Sequence, residues 1–76
     1  MIKTESYQYW SKVGMYEAED IVMKEINKVV EKYGIKREDI LGFQTKYEVI
    51  ESEDKDTIKI SQYYMSATIS WWSDKE

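Results

Sequence analysis

Tyr64, Ser66, Thr68 and Trp72 stand on alternate positions of the segment Gln62–Trp72. With Gln44 and Lys46 of an earlier segment, they are the residues of this chain best suited to hold a small planar molecule. Aromatic rings stack, hydroxyls and an amide hydrogen-bond, and an ammonium pairs with an anionic group. The opposite parity, Tyr63, Met65, Ala67, Ile69 and Trp71, is a core-facing set. The even face is therefore small and hydroxylated between two large aromatics, where an ordinary solvated strand would carry charges. Such a face predicts a contact surface.

Catalysis has less to work with. The chain has no histidine and no cysteine, which excludes disulfides, Cys/His zinc sites and every His-based triad. Ser66 and Ser70 have no activating base beyond Lys46, the internal strand lysine near them. Glu48, Glu51, Glu53, Asp54 and Asp56 lack the Asp-x-Asp-x-Asp-Gly order of a calcium loop and read as a solvated hairpin tip. Paired carboxylates need a walled cleft, more than so short a chain builds alone. Gly14, Gly34 and Gly42 are too dispersed to cradle a phosphate. The chain is expected not to be an enzyme and to carry no cofactor or metal.

Composition sets the remaining bounds. Its 76 residues allow one domain, 1–76, with one small core. Without disulfides or zinc, oligomerisation is the expected extra source of stability, and three Trp and seven Tyr supply interface material. A net charge of −4 without a basic run argues against nucleic acid. No signal-peptide pattern and no apolar run near the roughly 20 residues of a membrane span are present, so no membrane partner is expected and the cytoplasm is the expected location.

Elements must position these residues. Ile2–Trp10 has strand composition, with Thr4, Ser6 and Gln8 on one parity and Lys3, Glu5, Tyr7 and Tyr9 on the other. Met15, Ala18, Ile21, Val22, Ile26, Val29, Val30 and Tyr33 form one apolar stripe on a helix that Gly34 terminates. Acidic residues near its start and Lys28 and Lys32 near its end suit the helix dipole. Ile35–Asp39 is a link, and Ile40–Glu51 a second strand with Leu41, Phe43, Thr45, Tyr47 and Val49 on one face. Ser52–Asp56 is a polar loop, and a third strand runs from Thr57 to Trp72. Ile58 and Ile60 are apolar on even numbers, whereas Met65, Ala67 and Ile69 are apolar on odd ones. This conflict predicts a bulge near Ser61 or Gln62, or else that Ile58 and Ile60 face an oligomer partner.

Strand, helix, strand, strand assembles most simply as an α+β domain. Its three-stranded antiparallel-type sheet has order 1-3-2 and one helix on one face. Leu41, Phe43, Tyr63, Met65, Ala67, Ile69 and Trp71 would meet the helix. The uncovered face would carry Gln44, Lys46, Tyr64, Ser66, Thr68, Ser70 and Trp72, with aromatic help from the first strand.

This hairpin, most visibly Ile40-Leu41-Gly42-Phe43-Gln44 and Tyr63-Tyr64-Met65-Ser66-Ala67-Thr68-Ile69, resembles the dodecins, small strand-helix-strand-strand proteins that form hollow dodecamers and bind flavins. Where that family stacks a tryptophan on the flavin this chain has Gly42, and where it has a glutamine this chain has Tyr64, so both flavin contacts are missing. The stretch Tyr64-Met65-Ser66-Ala67-Thr68-Ile69-Ser70-Trp71 is also similar to a family of short sporulation proteins of Gram-positive spore formers and their phages. The resemblances imply a dodecin-like fold and a bacterial or phage setting.

Together these observations predict a non-enzymatic homo-oligomer that holds or sequesters a small planar ligand, of nucleotide or flavin type, at subunit interfaces through Tyr64, Ser66, Thr68, Trp72, Gln44 and Lys46. The rival expectation is an interaction or inhibitor module that meets a protein partner through its aromatic sheet face or acidic helix.

Overall fold

A computed structural model describes residues 1–53 and 59–74, with side chains at 1–51 and 61–74. Strand β1 (Ile2–Ser11) leads into helix α1 (Met15–Tyr33). A 3-10 turn at Arg37–Asp39 then precedes the hairpin β2 (Ile40–Glu53) and β3 (Lys59–Trp72). Both β1 and β2 pair antiparallel with β3, giving the sheet order β1-β3-β2 expected from the sequence.

The ends of α1 follow from local chemistry. Gly14 at the N-cap has no side chain to cap with. The buried Ser11 orders the turn before the helix: its Oγ accepts hydrogen bonds from the backbone N–H groups of Val13 at 3.0 Å and Gly14 at 3.2 Å. At the other end Gly34 adopts a left-handed φ of 59°. Its N–H bonds to the Glu31 carbonyl, and that of Ile35 bonds to Val30, the two bonds of a Schellman stop. Ile35 and Val30 both pack against the core.

The core lies between α1 and the odd face of β3. Ala18, Val22 and Ile26 meet Met65, Ala67, Ile69 and Trp71, and Tyr33 leans on Trp71 with ring centroids 5.4 Å apart. From β1, Tyr9 packs against the cluster and its hydroxyl donates to Glu17 Oε1 at 3.3 Å. Desolvation by this packing, and then the Glu17 carboxylate, hold the Tyr9 phenol above its ordinary pKa of 10.0.

Three expectations need correction. Leu41 and Phe43 do not join the core: α1 lies over β1 and β3, and Leu41, Phe43, Tyr47 and Val49 of β2 remain about half exposed. A helix about 10 Å across covers two strands spaced about 4.8 Å apart, and the third is left bare. The parity conflict is not resolved by a bulge at Ser61 or Gln62, because pairing runs unbroken from Glu53↔Lys59 through Val49↔Tyr63. β1 stops at Ser11, opposite Tyr63, so beyond that row only β2 and β3 pair with each other, as a ribbon, among the described residues. The irregularity lies instead at Leu41, the extra residue between Ile40↔Trp71 and Gly42↔Ser70. Finally, Ser52 and Glu53 belong to β2 rather than to the loop; the rest of the expected loop, Thr57, Ile58 and the side chain of Ile60 lie outside the described residues.

The ribbon makes the molecule long, 56 × 18 × 17 Å. Its radius of gyration is 15.9 Å, against about 11 Å for a compact domain of this length.

Candidate functional site

The face of the sheet turned away from α1 is built in cross-strand rows. Along β3 they read Thr4·Ser70·Gly42, Ser6·Thr68·Gln44, Gln8·Ser66·Lys46 and Trp10·Tyr64·Glu48. Alternation places all these side chains on one side. Five of the six residues singled out from the sequence, Tyr64, Ser66, Thr68, Gln44 and Lys46, therefore form one contiguous patch.

The polar groups hold one another in place. Thr4 Oγ1 and Ser70 Oγ lie 3.0 Å apart, Ser6 Oγ and Thr68 Oγ1 2.8 Å apart, and Tyr64 OH donates to Gln8 Oε1 at 2.9 Å. The Trp10 and Tyr64 rings meet at 4.4 Å between centroids with a 46° tilt, close to a stabilising aromatic geometry. Trp10 and Gln8 are the members that reasoning on β3 alone misses. Their even numbering in β1 was the available signal, and the register with β3 brings them to Tyr64.

Trp72 shares this side of the sheet, opposite Ile2 in the row beyond Thr4·Ser70, but lies at the far end from the ring pair. It stands eight residues from Tyr64 on the same strand, about 27 Å at the rise of a β-strand, too far for one small ligand to touch both. Its indole Nε1 donates to Asp74 Oδ1 at 2.9 Å. It lines a cleft of about 330 Å³ at the C-terminal end of α1, together with Tyr33, Lys36, Asp39 and Trp71. On the patch itself Ser6, Tyr7, Gln8 and Ser66 surround a shallow depression of about 270 Å³. A single chain thus offers a bench with one wall.

Among the described residues no group of three or more His, Cys, Asp or Glu is placed to hold a metal ion, and no helix is long and apolar enough to cross a membrane. The exposed pairs Lys24–Asp20 at 2.9 Å and Lys28–Glu25 at 3.0 Å partly neutralise the acidic helix, which leaves less of it to imitate a polyanion. At significant similarity the chain matches no family model, no curated protein and no solved structure.

Proposed function

We propose that the chain is a non-enzymatic, homo-oligomeric binding protein that holds a small planar ligand of nucleotide or flavin type against the open sheet face, where subunits meet. The observation that carries this reading is the Trp10–Tyr64 ring pair, 4.4 Å between centroids, standing at the end of the rows of hydroxyls. A flat ligand laid along the rows stacks on those rings, hydrogen-bonds with Ser66, Thr68 and Gln44, and sets an anionic group beside Lys46. The depression of about 270 Å³ is smaller than the roughly 300–1,000 Å³ of most ligand pockets, so a second copy must complete the site by extending the face.

The test is titration with a panel of nucleotides and flavins, read by tryptophan fluorescence and thermal shift. A binder at about 100 times its dissociation constant stabilises the fold by about 2.7 kcal/mol. Its fluorescence response should vanish in Trp10→Phe and persist in Trp72→Phe. Silence across the panel, with capture of a different protein by the same face, overturns the reading.

A further inference from the structure

We infer that β2 pairs edge to edge, antiparallel, with β2 of a second copy about a two-fold axis through Tyr47, making one six-stranded sheet. The inference rests on the homo-oligomer reading above and names the interface that reading leaves open.

Among the described residues nothing pairs with the outer edge of β2, which is 14 residues long, and both its faces are exposed between Leu41 and Val49. Natural edges are blocked by proline, by charged side chains, by bulges or by covering elements. This chain contains no proline. The bulge at Leu41 protects only one end. The charges at the centre of the strand, Lys46 and Glu48, are of opposite sign and one position either side of Tyr47.

That spacing makes the edge complementary to itself. With the axis on Tyr47, Lys46 of each copy faces Glu48 of the other, Tyr47 meets Tyr47, and Thr45 meets Val49. Directly opposed pairs of opposite charge, aromatics and β-branched residues are the favourable cross-strand combinations. Moving the axis by one residue sets Lys46 against Lys46 or Glu48 against Glu48, so the neighbouring registers are penalised.

Area points the same way. The chain exposes 5992 Å², about 1,100 Å² more than the roughly 4,900 Å² expected of a compact monomer of 9.1 kDa. A stable interface takes about 800 Å² from each partner. An axis perpendicular to the sheet leaves both helices on one side, where Phe43, Tyr47 and Val49 of the two copies fill the groove between them. On the other side the two benches join, bringing Lys46 and Gln44 of both copies to the seam.

Charge reversal tests the register. Light scattering after size-exclusion chromatography, with far-UV circular dichroism to verify the fold, should find that Lys46→Glu and Glu48→Lys each weaken association at least tenfold. Each single change should halve the mass of the assembly at micromolar concentration, and the double reversal K46E/E48K should restore it. Because the chain lacks cysteine, Tyr47→Cys should oxidise to a disulfide-linked dimer and Thr45→Cys should not. An assembly indifferent to the single reversals, a double variant no better than either single, or faster cross-linking at position 45 overturns the pairing while leaving the oligomer reading intact. A monomeric wild-type chain overturns both.

Discussion

Ser11 is the residue whose role the sequence conceals. A serine followed by Lys12, Val13 and Gly14 reads as the start of a loop, yet it ends β1, is 1 % exposed and satisfies two backbone N–H groups at the entrance of α1. Ser11→Ala removes the acceptor and leaves those groups competing for partners, at a cost of about 1–2 kcal/mol. Thermal melts should fall by roughly 4–8 °C per kcal/mol in a domain of this size, with the far-UV spectrum unchanged. The alternation of Tyr64, Ser66 and Thr68 was legible because strand parity is local. That Gln8 and Trp10 share their patch was not, since it depends on a register joining residues more than fifty positions apart.

At the scale of elements, α1 was the most legible part. An apolar stripe that closes on a glycine is a local signal, and both ends fall where the stripe and Gly34 place them. Gly34→Ala forces a Cβ into left-handed backbone and should cost about 1 kcal/mol, although nothing lies within 4 Å of that Cβ. Gly42→Ala meets equally open space without the positive φ and should change the denaturation midpoint little. Equal losses in the two variants would show that backbone strain is not what Gly34 relieves. The misplaced bulge has a different origin. Parity reports a core only where a helix backs the sheet, and β1 and its contact with β3 end at Ser11.

For the whole molecule, the strand order follows from the element sequence, because a hairpin joined through one helix has few arrangements. How far the helix reaches across the sheet does not follow, since it is set by helix width against strand spacing. The outcome is a core of seven buried apolar residues among the described ones, two of them alanines, thin support for a molecule 56 Å long. Light scattering at micromolar concentration should therefore give a multiple of 9.1 kDa, with melting temperature rising as protein concentration rises. A monodisperse monomer with a concentration-independent melt would refute self-association. The open face that such an assembly keeps has one further property. In the Thr4–Ser70 and Ser6–Thr68 pairs either oxygen can be the donor, so turning two hydroxyl rotors exchanges outward donors for outward acceptors without moving a heavy atom. Those two rows therefore have no fixed polarity to match, and a guest of the proposed kind would be selected there by flatness and length rather than by the order of its hydrogen-bonding groups.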